Sequence, residues 1–172
     1  MHENFELDNI KKRDKISIFV LGSNFPESER EKRANVCLDL RNQRQFLNTF
    51  IMEDKCTPDK YKYFDDAFKD FIHDSHMIIA ILTQQGSKDG IGWEIGFMQG
   101  IDTLSESFDI REKLFLCLEN DIETKPELTQ MISNGIVKKS GCRIVKFSNI
   151  NELCDTLESL AHSQLMKTLS NN

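Results

Sequence analysis

The sequence lacks an apolar run long enough to cross a membrane, and it lacks a surplus of basic residues. Its longest apolar segments have strand length, and its N-terminus is charged where a secretory signal would be apolar. Lys and Arg number 22 against 28 Asp and Glu, a net charge of −6. These features argue against a membrane protein and against a nucleic-acid backbone as the main partner.

The chain also lacks the cysteine spacing of a disulfide framework or a zinc site. Its cysteines are odd in number, widely spaced and without a CxxC pair: Cys37, Cys56, Cys117, Cys142 and Cys154. This pattern indicates reduced thiols in the cytoplasm. We therefore expect no disulfide, no metal site and no tightly bound cofactor.

What the sequence does have is a strand followed by a helix, repeated five times. The predicted strands are Lys15–Leu21, Thr49–Glu53, Met77–Thr83, Lys113–Glu119 and Cys142–Phe147. Helices are predicted over 27–45, after Asp59, over 93–101, over 126–133 and from about residue 150. Strands that alternate with helices imply crossover connections and a parallel sheet.

The predicted fold is therefore α/β, a three-layer flavodoxin-like sandwich around a five-stranded parallel sheet. We expect the strand order 2-1-3-4-5. Residues 1–14 are expected to form a polar leader, and residues 15–168 a single α/β domain.

In a sheet of this order, ligands bind outside the carboxyl ends of the strands, between strands 1 and 3. Gly22–Phe25 and Thr83–Gly92 follow those two strands, and Glu94 lies near the start of the next helix. A carboxylate there can attack an electron-poor sugar carbon or stabilise an oxocarbenium ion. The alternative is an ordinary solvated glutamate in the first turn of a helix.

Small and aromatic residues near Glu94 are the candidate binding groups. Gly90 and Gly92 are expected in the connecting loop, where they would let the backbone approach a ligand or adopt a positive φ. Gly22, Ser23 and Asn24 could cradle a phosphate, although an ordinary turn is an equal alternative. Phe25 and Trp93 could stack on a base, although a lone tryptophan is more often part of a core.

The segment around Glu94 resembles the nucleoside 2-deoxyribosyltransferase-like superfamily. The family motif G-x-G-x-E-[IL]-G-[YF] is matched by Gly90-Ile91-Gly92-Trp93-Glu94-Ile95-Gly96-Phe97, and Gly22-Ser23-Asn24-Phe25 is similar to the family's sugar and phosphate loop. The resemblance implies that Glu94 is the nucleophile that attacks the anomeric carbon. It also implies a proton-handling aspartate in the preceding helix, where Asp66 and Asp70 lie; Asp70 is the binding candidate.

The resemblance predicts an N-glycosidic hydrolase or transferase that acts on a nucleoside, nucleotide or related base–ribose compound. A second resemblance, to TIR-like domains, makes NAD cleavage in signalling or defence an alternative. A non-catalytic nucleotide sensor is a third possible function, because neither Asp66 nor Asp70 falls at the position of the family's aspartate. Gly96 and Gly100 share a helix face that would allow close packing, and we expect a homodimer or larger homo-oligomer.

Overall fold

The computed structural model describes residues 15–87, 89–105, 108–122 and 141–170. The described strands are β1 (Ile16–Gly22), β2 (Leu47–Phe50), β3 (Met77–Leu82), β4 (Leu114–Glu119) and β5 (Arg143–Phe147). The described helices are α1 (Glu27–Gln43), α2 (Met52–Lys55), α3 (Phe64–Asp74), α4 (Asp89–Leu104), α5 (Ile110–Lys113) and α6 (Ile150–Ser170).

The five strands form one parallel sheet in the order β2-β1-β3-β4-β5, which confirms the predicted topology. In the central pair, Ile18 lies opposite Met77 and Gly22 opposite Ile81. Both strands are apolar almost throughout, because helices cover both faces of a parallel sheet. The carboxyl ends of β1 and β3 therefore lie side by side at one edge.

Alternate strand residues supply two separate cores, one on each face of the sheet. Phe19, Ala80 and Leu116 pack with α3 and α4 on one face. Val20, Ile79 and Cys117 pack with α1 and α6 on the other face. This division confirms the three-layer sandwich.

Several element boundaries differ from the predicted ones. Strand β2 is Leu47–Phe50 rather than Thr49–Glu53, because the chain turns into α2, where the Asp54 carboxylate accepts a hydrogen bond from Ile51 N. Helix α3 begins only at Phe64. Strand β4 begins at Leu114, since residues 110–113 form a helical turn capped by the Asp109 side chain.

The largest difference concerns the helix that carries Glu94. Helix α4 begins at Asp89 rather than Trp93, so Gly90 and Gly92 lie inside its first turn. Neither has a positive φ, and the expectation of a loop conformation there was wrong. The polar, glycine-bearing run up to Gly92 was interpreted as a connection, whereas the structure accepts the cost of glycine in a helix, about 1 kcal/mol each.

The remaining sequence predictions concern the cysteines, the domain organisation and membrane-spanning segments. None of the five cysteines, all of which lie in the described ranges, is joined to another by a disulfide. The predicted leader at 1–14 and helix at 126–133 lie outside the described residues, and the single-domain assignment stays a prediction. No helix in the described ranges is both long enough and apolar enough to span a bilayer.

Candidate active site

The loops that follow β1 and β3 are joined directly at the carboxyl edge of the sheet. Ser87 N donates a hydrogen bond of 2.9 Å to Phe25 O, which links the two loops through their backbones. Gly86 packs against Ser23, and a Cβ built on Gly86 would lie 2.9 Å from Ser23 Cβ. We call these two loops, residues 22–25 and 83–87, together with the side chains of Glu94 and Arg33, the β1/β3 site.

A buried carboxylate fixes the β3 loop to helix α1. Glu29 is almost fully buried, and its Oε2 accepts a hydrogen bond from Thr83 Oγ1. The same hydroxyl accepts a 3.1 Å bond from Gly86 N, and Lys32 Nζ lies 2.7 Å from Glu29 Oε1. Buried polar groups stay in place when each has a partner, so this network holds Thr83 and Gly86 in position.

Gly86 is the position in this network that tolerates no side chain. We expect Gly86→Ala to lower the free energy of unfolding by about 1–3 kcal/mol, because its Cβ would overlap Ser23 and Thr83. Gly96→Ala is the matched control. An added Cβ at Gly96 meets nothing within 4 Å, so alanine there should stabilise the helix by up to about 1 kcal/mol. Urea unfolding gives the free energy of unfolding of both variants. Equal changes in the two variants would contradict the prediction.

Glu94 is an ionisable residue of α4 whose carboxylate is largely withdrawn from solvent. Its Oε2 is buried and has no hydrogen-bond partner among the described residues. Burial raises the pKa of the Glu94 carboxyl to about 7, while the charge of Arg33 lowers it and that of Glu53 raises it. Glu94 is therefore a desolvated carboxylate rather than a solvated helix glutamate.

Arg33 is a buried cation at the end of β1. It reaches over Gly22, whose added Cβ would lie 3.0 Å from Arg33 Cδ, and its Nη2 lies 2.5 Å from Glu53 Oε1. Its Nε is buried without a partner among the described residues. Arg33 Nε and Glu94 Oε2 are thus a buried donor and a buried acceptor that both lack a hydrogen-bond partner there.

The predicted phosphate loop is a compact turn held by its own side chain. Ser23 Oγ donates to Phe25 O at 2.6 Å and accepts from Phe25 N at 3.1 Å. Ser23 is buried, whereas Asn24 and Phe25 are exposed, Phe25 by 74%. The Ser23 hydroxyl is therefore engaged within the turn, and the two residues after it face solvent at the edge of the site.

Trp93 lies outside the core, on the side of α4 that faces α3. Its ring is stacked on Phe97 at 5.2 Å between centroids and lies 5.8 Å from Phe64 and 5.9 Å from Phe68. Trp93 and Phe64 are about half exposed. The four rings form one aromatic cluster, and Trp93, the residue before Glu94 in the sequence, is exposed in it together with Phe64.

The remaining predicted residues are Asp70 on α3 and the glycines of α4. Asp70, on α3, accepts a 3.1 Å hydrogen bond from the Tyr61 hydroxyl. Gly90 is exposed inside α4, and no described atom lies near a Cβ built on Gly90, Gly96 or Gly100. The expected close packing at Gly96 and Gly100 is therefore not found among the described residues.

The loop after β4 is joined to the loop after β3 by two hydrogen bonds. Glu119 Oε2 accepts a 2.6 Å hydrogen bond from Gln84 N, and Gln84 Nε2 donates to Asn120 O at 2.9 Å. These bonds tie the β3 loop to β4. Within the described ranges, no three His, Cys, Asp or Glu side chains are grouped so as to hold a metal ion.

Sequence reasoning missed Glu29, Arg33 and Glu53. Glu29 and Arg33 are one turn apart on α1, in line with the buried Val36 and Leu40. Charged residues at core positions of an amphipathic helix were the available signal, because charges are rarely buried without a partner.

Comparison with known proteins supports the fold. No protein-family model and no curated protein matches the chain. One solved structure that it is similar to is the CMP N-glycosidase BcmB of Clostridium botulinum, with a TM-score of 0.50 and 15% sequence identity. The match covers 84% of this chain and 98% of that chain. At this identity the likeness shows a shared fold, the five-stranded parallel α/β sandwich.

Proposed function

We propose that the chain is an N-glycosidase that cleaves the bond between base and ribose in a nucleoside or nucleotide, with Glu94 as the nucleophile. The observation that carries this proposal is the buried Glu94 carboxylate, whose Oε2 has no partner among the described residues. An unsatisfied buried carboxylate is costly, and such groups are concentrated where function requires them.

The proposed reaction is a two-step displacement at the anomeric carbon. A Glu94 oxygen forms a bond to C1′ while the C1′–N bond breaks, and its electron pair leaves with the base nitrogen. The departing base takes a proton from a neighbouring acid or from water. Water then attacks C1′ of the ribosyl ester, which frees ribose, or its phosphate, and restores the carboxylate; a second base in place of water would make the enzyme a transferase.

The other predicted residues take supporting roles in this proposal. The turn at Gly22, Ser23 and Asn24 and the first turn of α4, with Gly90 and Gly92, would hold the sugar or its phosphate. Phe25, which is largely exposed, and Trp93, which is about half exposed, would cover the base. Asp70 would assist the leaving base after release from its bond with Tyr61.

The likeness in fold to a CMP N-glycosidase makes CMP the first substrate to test. The purified chain is incubated with CMP, UMP, AMP, their nucleosides, the 2′-deoxy analogues and NAD. Free base is then measured by chromatography. The proposal expects at least one nucleoside or nucleotide to release its base in a reaction that depends on enzyme concentration.

The alternatives give different results in the same panel, run beside a thermal-shift assay. Release of nicotinamide from NAD alone would favour the TIR-like enzyme. A ligand-dependent rise in Tm with no released base would favour the non-catalytic sensor, for which the engagement of Asp70 by Tyr61 is the structural argument. Either result would replace the proposal.

A further inference from the structure

The loop after β3 is held from several sides, although it lies at the open edge of the sheet. Its hydrogen-bond partners come from α1, from the end of β4 and from the loop after β1: Glu29, Glu119 and Phe25. Loops usually move more than the elements that they connect, and these bonds remove much of that freedom. Helix α4, which carries Glu94, begins at Asp89, two residues after Ser87. The position of the loop therefore sets where α4 begins.

Glu29 is the partner of this loop that is withdrawn from water. The residue is 3% exposed, and its two carboxylate oxygens have separate partners: Oε2 accepts from the Thr83 hydroxyl, and Oε1 lies 2.7 Å from Lys32 Nζ. Lys32 is partly exposed, so the bond to Thr83 is the one made inside the protein. A buried carboxylate is costly unless it is paired, and an apolar replacement of similar volume is often at least as stable.

An apolar side chain at position 29 would have served the packing of α1 on its own. Glu29 lies on the same side of this helix as Val36 and Leu40, which are fully buried in the core between α1 and the sheet. That packing needs no charge. What an apolar side chain cannot do is accept the hydrogen of the Thr83 hydroxyl. The buried carboxylate is therefore explained by the loop that it holds rather than by the packing of its helix.

Thr83 passes this constraint on to the rest of the loop. Its hydroxyl donates to Glu29 and accepts the 3.1 Å bond from Gly86 N. Because a hydroxyl has a single hydrogen, donation to Glu29 leaves only its lone pairs for Gly86 and fixes the direction of that second bond. Gly86 packs against Ser23 of the β1 loop, and the residue after Gly86 donates its backbone N–H to the same loop. The contacts thus run from α1 through the β3 loop to the β1 loop.

We propose that Glu29 is a positioning residue of the β1/β3 site. Through the Thr83 hydroxyl it fixes the loop after β3, and with it the start of α4, in the geometry that the reaction at Glu94 needs. The inference rests on the function proposed above, and in it Glu29 acts on Thr83 without touching the substrate. Groups held in place beforehand align the reactants, and a displacement of ~1 Å can cost about 100-fold in rate.

The first test separates the hydrogen bond between Glu29 and Thr83 from the charge and size of the two side chains. Glu29→Met removes the acceptor and Thr83→Val removes the hydroxyl. Each should lower kcat for base release about 10–100-fold on the best substrate of the panel above, with a smaller change in KM. Glu29→Gln keeps an oxygen that accepts the Thr83 hydroxyl, and Thr83→Ser keeps the hydroxyl, so both should stay close to wild type. A network that served only stability would leave kcat of the folded protein unchanged in all four variants.

Amide hydrogen exchange tests the loop without any substrate. In Glu29→Met and Thr83→Val the backbone amides of Gly86 and Ser87 should exchange at least about tenfold faster, beyond what the change in the free energy of unfolding accounts for. Thr103→Val is the matched control. It removes an exposed hydroxyl of α4 that bonds within that helix, and it should leave these amides and kcat unchanged. Should Glu29→Met fail to fold, the pair Thr83→Val and Thr83→Ser carries the test.

The outcomes distinguish this inference from the proposed function. Faster exchange confined to the loop supports its positioning by Glu29 even if no substrate releases its base, in which case only the proposed function fails. Loop amides that exchange as in wild type, or only as much faster as the lower stability predicts, overturn the inference even if base is released. A wild-type kcat in a variant whose loop exchanges faster overturns it as well, because the loop geometry would then not matter to the reaction.

Discussion

Replacing Glu94 by glutamine is expected to abolish base release and leave the fold intact. The amide has nearly the same shape but cannot form the covalent bond to C1′ or carry the negative charge that stabilises the transition state. Loss of a nucleophile usually costs several orders of magnitude, so we expect kcat to fall at least about 10³-fold. Chromatography of the free base under single-turnover conditions measures the change.

The control for this loss is a glutamate that also lies near the start of a helix but has no role in the site. Glu27 lies in the first turn of α1, is 73% exposed in its side chain and pairs with Arg30. Glu27→Gln should retain wild-type base release, and circular dichroism should show the same helix content for both variants. Turnover in Glu94→Gln within tenfold of wild type would rule out the nucleophile.

The sheet was predictable because its strands carry the strongest pattern in the sequence. Met77–Leu82 and Leu114–Glu119 are short, nearly continuous apolar runs bounded by polar residues, which is the pattern of strands covered on both faces. The intervening helices then required parallel crossovers, and the order 2-1-3-4-5 followed as the economical arrangement. The register that places Gly22 beside Ile81 came only from the coordinates.

Errors in the boundaries came from local signals that tertiary contacts overrode. Gly90 and Gly92 indicated a loop, yet burial of Ile91 and Ile95 against the sheet extends α4 back to Asp89. Thr49–Glu53 was interpreted as a strand, but pairing with β1 ends at Phe50 and the chain turns into α2. Such choices depend on contacts distant in sequence, which local propensity does not contain.

For the candidate site, the sequence pointed to Glu94 but not to the charged residues around it, and the catalytic role of Glu94 stays a prediction. The motif and the strand–loop–helix context pointed to that carboxylate without any distance information. The buried charges of α1 were missed because Glu29 and Arg33 look like ordinary charges of a solvated helix. Only the packing of α1 over the end of β1 turns Arg33 inward against Gly22.

Glu94 should also make the stability of the protein depend on pH in a defined direction. Its pKa is raised from 4.5 to about 7 in the folded protein, chiefly by burial. Between those values the folded state binds more protons than the unfolded state, so the free energy of unfolding falls as the pH rises. The stability that the raised pKa of Glu94 contributes is fully present below pH 4.5 and is lost above about pH 7. This contribution is at most about 3 kcal/mol.

Glu94→Gln removes this titration, because the amide is neutral at every pH in the range. The variant should therefore gain stability relative to wild type as the pH rises from about 4.5 to 8, as measured by urea unfolding at intervals across that range. Glu27→Gln, at an exposed position, should show no such trend. A difference between Glu94→Gln and wild type that is constant with pH would mean that Glu94 titrates alike in both states. The carboxylate would then be solvated, and the argument for a desolvated nucleophile would fail with it.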